Sequence, residues 1–327
     1  MTTRPSALRP TESRPTAGTG AAGIRASERP TAEPHTAEPH TAEAPASHEE
    51  GHATQAATCS GAVPGQNPHA ARGHSFNAAA AQYAANRPSY PPALFDALEE
   101  LAGRPLAGAR VADVGAGTGI ATGLLRARGA DVIAVEPGAG MTAQFRRTLP
   151  DVPLVRGDGD DLPLADACVD LVTYAQAWHW TDPARSVPEA LRVLRPGGAL
   201  ALWWNTDALD VPWIAEAADR TARHFGVNVA AEKRNVNAQA ADPTGRLRFT
   251  RRTVRWSRRV PLDTHLANIA SHSVLLVHDE ERGAAFLSEE REHLLKVFPD
   301  GIVEEVYDVR LLVAPTTPDT ASSPSSD

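Results

Sequence analysis

The chain has 327 residues and a net charge of −8, with 42% hydrophobic residues but only 5% aromatic ones. That acidic balance argues against a nucleic-acid partner and gives no support for an anionic membrane surface as partner. Cys59 and Cys168 are the only cysteines, which excludes a disulfide framework and a CxxC zinc site.

No apolar run reaches spanning length, and the first residues lack the apolar stretch of a secretory signal. A soluble, cytoplasmic protein is the expectation. Residues 1–75 hold no Phe, Trp or Tyr, so they cannot bury enough surface to offset the entropy of ordering them. Arg-Pro recurs from Arg4, Arg9 and Arg14, and Thr-Ala-Glu from Thr31, Thr36 and Thr41, periods too short for a solenoid. The histidines among them, His35 and His40 first, are separated by prolines and lack Cys or ordered carboxylate partners, so no metal is expected. The reading is a disordered tail over 1–75, one domain over 76–314, and a Pro-, Ser- and Thr-rich disordered tail over 315–327.

Within the domain, Leu94, Leu98 and Leu101 share a helical face, with Pro91 and Pro92 at its start and Gly103 past its end. Val111–Val114 reads as a buried strand, followed by Gly115, Gly117 and Gly119, then by an amphipathic segment through Ile120, Leu124 and Leu125 that stops at Gly129. A second strand, Val132–Val135, closes on Glu136, and the helix through Met141 and Phe145 stops before Pro150. A short strand near Leu154 leads into an acidic turn over 157–163. Val169–Tyr174 is the next strand, with Gln176-Ala177-Trp178-His179-Trp180 as its trailing loop. Ser186 and Glu189 have capping-box spacing, which places a helix start at Val187; Pro196-Gly197-Gly198 ends it and opens the strand Ala199–Trp204. Trp213–Phe225 reads as an amphipathic helix, and Phe249–Trp256 and Ile302–Val313 as β-rich segments with helical sequence between. Alternating strand and helix calls for a mostly parallel sheet with helices on both faces.

Glycines at alternate positions permit positive φ and let backbone approach a ligand at a helix start. Glu136, 17 residues beyond Gly119, is placed to accept two hydrogen bonds from a ribose diol. A dinucleotide fingerprint needs a small residue where Ile120 stands, which disfavours a nicotinamide-dependent dehydrogenase. A nucleoside-binding regulatory protein without catalysis is the alternative to an enzyme. Seven arginines between Arg246 and Arg259 read as a charged strand edge in preference to a nucleic-acid patch.

These residues resemble a class I S-adenosylmethionine-dependent methyltransferase of the small-molecule type that includes trans-aconitate methyltransferase-like proteins. The resemblance spans roughly Phe76 to Ala314 and rests on Asp113 through Gly119, Glu136-Pro137, Asp158 through Pro163, Gln176 through Trp180 and Leu194 through Gly198. It implies a seven-stranded, mostly parallel Rossmann-like sheet whose last strand runs antiparallel. It also implies S-adenosyl-L-methionine as cofactor and a small-molecule methyl acceptor, most readily a carboxylate or hydroxyl oxygen; oligomeric state stays open.

Carried over by position, Gly115, Ala116 and Gly117 would hold the methionine moiety, with Asp113 near its ammonium. Glu136 would bind the ribose, Asp158 and Gly159 the adenine, and Gln176 would also contact the cofactor; Asp160 and Asp161 read as solvated. Where Gly159-Asp160 stands, family members commonly carry Ala-Glu. Tyr83, Arg87, Trp178 and Trp180 would shape the acceptor side, while Trp203 and Trp204 read as core. His179 suits a general base and equally a neutral structural histidine. Its place between Trp178 and Trp180 resembles carboxyl methyltransferases, whose acceptor needs no base.

Overall fold

The computed structural model describes residues 80–226, 241–272, 275 and 279–317, of 81–83 the backbone only. All belong to one compact unit, Gly61–Asp327; the other unit, Met1–Ser60, lies outside the described residues, as do the Arg-Pro and Thr-Ala-Glu repeats and their histidines. The chain order is α1 (Ala80–Asn86), α2 (Pro92–Ala102), β1 (Arg110–Val114), α3 (Ile120–Ala127), β2 (Asp131–Val135), α4 (Ala139–Thr148), β3 (Leu154–Val155) and β4 (Val169–Ala175). There follow a 3₁₀ turn (Trp178–Trp180), α5 (Pro183–Val193), β5 (Leu194–Asp207), α6 (Pro212–Phe225), β6 (Thr250–Pro261), α7 (Leu262–Ala270), α8 (Glu280–Val297) and β7 (Ile302–Pro315).

The seven strands form one sheet in the order β3-β2-β1-β4-β5-β7-β6. The pairs β1–β2, β1–β4, β2–β3 and β4–β5 are parallel, and β7 runs antiparallel to both β5 and β6. The expected fold class is therefore present, with the two late β-rich segments as the closing pair. Both faces of the sheet are covered. One core joins Leu94, Phe95 and Leu98 of α2 and Leu125 of α3 to Val111, Leu171, Trp203 and Leu311. The other joins Val187, Ala190 and Val193 of α5 to Val114, Val172, Tyr174, Leu202 and Trp204. Alternate residues of each central strand feed opposite cores, which is why these strands read as unbroken apolar runs.

Two expectations need correction. Helix α5 begins a turn before Val187, because Asp182 accepts the Ala184 N–H at 3.0 Å as N-cap and Pro183 occupies the first helical position. Glu189 is consequently not a capping-box partner; it accepts the Leu162 N–H and pairs with Arg192. The expected C-terminal tail starts later than Pro315, which closes β7, since Thr316 N–H donates to Gly198 O at 2.7 Å. The rest of that segment, 318–327, lies outside the described residues. Five of the seven arginines lie on β6 at the sheet edge, where Arg252, Arg255, Arg258 and Arg259 pair with Glu100, Asp210 and Asp308, Glu305, and Asp300 respectively. Among the described residues no helix is long and apolar enough to cross a membrane.

Candidate functional site

The residues expected to hold a cofactor follow the carboxyl ends of four neighbouring strands: Gly115–Gly119 after β1, Glu136 after β2, Asp158 and Gly159 after β3, Gln176 after β4. Ligands of open α/β sheets bind at that edge. Gly115 takes φ +66°, and its N–H and that of Ala116 donate to Val135 O at 2.8 and 3.1 Å. A Cβ on Gly115 would lie 2.5 Å from that of Ala177, so the turn leans directly on the loop after β4. At Gly117, φ is +58° and a Cβ would meet nothing within 4 Å; the backbone there is open to a ligand.

Glu136 is buried, and its two carboxylate oxygens accept N–H groups from Gly117 (2.9 Å) and Gly138 (2.7 Å). These charge-assisted bonds hold the acid against the open face of the glycine turn. Asp113 points the other way. It is fully buried and takes hydroxyl hydrogen bonds from Thr122 (2.6 Å) and Thr173 (3.0 Å), tying β1 to α3 and β4. Burial pushes its carboxyl up to about 6, against the hydrogen bonds from Thr122 and Thr173, with the charge of Glu136 adding to the rise. An acid so enclosed braces the turn.

Asp158 is exposed and accepts the Asp160 N–H at 2.9 Å, an Asx turn. Tyr174 OH donates to Gly159 O at 3.3 Å. Asp160, expected to be solvated, instead accepts the Asp182 N–H at 2.9 Å and the Ser186 hydroxyl at 2.6 Å, fastening the acidic turn to α5.

After β4, Gln176 takes φ +59°, a strained conformation for a non-glycine, and its N–H donates to Trp203 O at 2.8 Å. It opens a cavity of about 110 Å³ that is also lined by Arg87, Asn205, Trp213, His265 and Tyr307. The other aromatic candidates lie elsewhere. Trp178 is buried in the core, its ring edge-on to Tyr174 at 4.7 Å. Trp180 packs on Ala80 and Met141, and Trp203 is wholly buried. Tyr83 has no described side chain. His179 is exposed, and its Nδ1 accepts the Trp204 indole N–H at 3.3 Å. When the ring is neutral, that bond places its proton on Nε2.

Sequence reasoning missed the polar heart of the cavity: His265 and Asn268 on α7, Glu305 and Tyr307 on β7. Their signal was present. Val303, Val309 and Leu311 alternate on the buried face of β7, and Glu305 and Tyr307 occupy positions of the same phase. His265 and Asn268 are an i, i+3 pair on a largely apolar helix.

Comparison with known proteins follows this geometry. A family described as a methyltransferase domain matches residues 112–202. An uncharacterised methyltransferase of Mycobacterium bovis is 46% identical over 149 residues, 46% of this chain and 59% of that protein. The chain thus spans somewhat over half the length of the first curated relatives it matches. A malonyl-[acyl-carrier protein] O-methyltransferase of Methylococcus capsulatus is 36% identical over 197 residues, covering 56% of this chain and 69% of that protein. A solved structure from Anaeromyxobacter dehalogenans, provisionally named a type II methyltransferase, superposes with a TM-score of 0.53 at 26% identity, over 71% of this chain and 99% of its own.

Proposed function

We propose, because the chain belongs to the class I S-adenosylmethionine-dependent methyltransferases, that it moves a methyl group from S-adenosylmethionine to an oxygen, carboxylate or hydroxyl, of a small organic acceptor. The observation that carries the reading is the glycine turn opening at Gly117 beside the buried Glu136 carboxylate. Those residues fit the cofactor: an open backbone face free of Cβ for the methionine end, and an ionised acid, anchored on one side by two amides, for a diol. Asp158 and Gly159 lie one strand further on, on the side where an adenine would extend. When bound, the sulfonium supplies a methyl carbon already activated for displacement. The chain's own work is then alignment and exclusion of water, through the turn, Gln176 and the cavity walls. The likeness to an O-methyltransferase favours an oxygen acceptor.

Calorimetry tests the cofactor half. The full chain is expected to bind S-adenosylmethionine, and Glu136→Ala to lose about 1.5–3 kcal/mol of that affinity, the worth of a hydrogen bond to a charged group. Glu136→Gln should recover part of it. Unchanged affinity in Glu136→Ala would remove Glu136 from the cofactor site. A methylated product from an acceptor panel tests the enzymatic half, and binding without any product would leave a nucleoside-binding protein.

A further inference from the structure

The cavity next to Gln176 contains a second histidine in a very different setting from His179. His265, on α7, is buried, and its Nδ1 lies 2.7 Å from Glu305 Oε1 on β7. Burial pushes the Glu305 carboxyl up, but hydrogen bonds and charge from His265 and Arg258 outweigh it and hold the group below its ordinary range. Arg258 reaches its other oxygen at 2.5 Å. An ionised carboxylate only accepts, so Nδ1 is the donor, and whenever the ring is neutral its Nε2 is the unprotonated nitrogen. No hydrogen bond to Nε2 is found among the described residues, and the ring lines the cavity. Trp213 meets the ring edge-on at 5.8 Å, and Asn268 Nδ2 braces the partner acid, bridging Glu305 Oε1 (3.5 Å) to Tyr307 OH (3.2 Å).

An acid that fixes the tautomer of a histidine, with the other nitrogen facing a cavity, is the arrangement of a general base. The cavity's charge points the same way. Its acids are Asp207, Glu290 and Glu305; its cations are Arg87, Arg220 through Glu290, and Arg258 through Glu305. Three stand against three, which leaves no surplus positive charge to hold a carboxylate acceptor. Trp213, Ile214 and Ile269 supply an apolar wall.

We propose that His265, held by Glu305, is the catalytic base of this site and that the acceptor is a neutral hydroxyl compound, a phenol, enol or alcohol, bound against Trp213. This rests on the methyltransferase reading and narrows its acceptor from oxygen in general to hydroxyl. The acceptor O–H proton passes to Nε2, and the oxygen pair forms the O–CH₃ bond. The pair of the broken S–CH₃ bond stays on sulfur as a neutral thioether. The imidazolium, stabilised by Glu305, then releases its proton to water.

The test uses the full chain with no cofactor first. Nitrogen-15 NMR of the histidine rings should show His265 with Nδ1 protonated and Nε2 bare at pH 8, and Glu305→Gln should shift the ring toward the other tautomer. Phenol, as probe, should move the Nε2 resonance, and benzoate, which is anionic and has no hydroxyl to donate, should not. A ring protonated on Nε2, or one that ignores phenol, would overturn the proposal. Turnover comes second. With S-adenosylmethionine bound, wild type should methylate hydroxyl compounds in an acceptor panel, and His265→Asn should lower kcat by about 10²–10⁴ without changing cofactor affinity. Methylation confined to carboxylates, or a kcat unmoved in His265→Asn, would refute the base while leaving the methyltransferase reading in place. Failure of wild type to bind S-adenosylmethionine would defeat both.

Discussion

Gly115→Ala is expected to cost the fold roughly 2–5 kcal/mol and to abolish cofactor binding. Two penalties add. The left-handed backbone at φ +66° costs an L-residue about 1–2 kcal/mol, and overpacking about 1–3. The clash is with Ala177 Cβ at 2.5 Å, an atom fixed to the backbone, so no rotamer change relieves it; the loop after β4 has to move. Gly117→Ala is the internal control. Its φ is +58° but its new Cβ meets nothing within 4 Å, so only the conformational cost of about 1–2 kcal/mol remains, while ligand access suffers. Urea melts should therefore separate the two variants, and calorimetry should not. Equal destabilisation would mean that the contact between the turn and Ala177 is slack.

Asp113→Asn is expected to change how stability depends on pH, by about 3 kcal/mol across the acid range. The folded protein holds the Asp113 proton up to about 6, whereas the unfolded chain releases it near the ordinary value of 3.8. Between those values the folded state binds more protons, so this group's contribution to stability falls as pH rises and levels off above about 6. The difference, roughly 2 units, converts to about 3 kcal/mol. An amide cannot ionise. Stability of Asp113→Asn should therefore gain on wild type between pH 4 and pH 7, whatever constant cost the amide brings with Thr122 and Thr173. Taking the difference between the two proteins isolates Asp113 from Glu305, whose lowered carboxyl works in the opposite direction: its contribution is present above the unfolded value and lost as pH falls through the folded one. Parallel stability curves would mean that Asp113 titrates normally.

The glycine turn and the acid beside it were legible in the sequence because their determinants are local. Apolar runs such as Val111–Val114 report strands buried on both faces, and alternate glycines report positive φ directly. Glu136 followed from its place at the end of β2. The helix start at Asp182 was misplaced because Ser186 and Glu189 imitate a capping box. In the aromatic loop, Trp178 fills the core under Tyr174, a burial that its place beside a histidine does not announce. The cavity beside Gln176 was not legible. His265 and Glu305 are 40 residues apart, on a helix and a strand whose packing is set by where β7 enters the sheet. Only the wrong-looking polar residues on the inward face of β7 marked it in advance.

The sheet order also sets a timetable for synthesis. Strand β6 has β7 as its sole sheet neighbour, and β7 comes later in the chain, so on a ribosome β6 waits without a partner until 302–315 emerge. Strand β1 waits only for β2 at 131–135, and β2 to β5 face no delay, since each has at least one neighbour already made. Pairing across so long an interval is slow to nucleate, because the loop must close before its contacts form. The nascent chain therefore completes the glycine turn and Glu136 well before His265 meets Glu305. A growing polypeptide of this kind would gain its nucleoside cradle first and its acceptor chamber last, so a cofactor present in the cell would meet a receptive half-molecule still under construction.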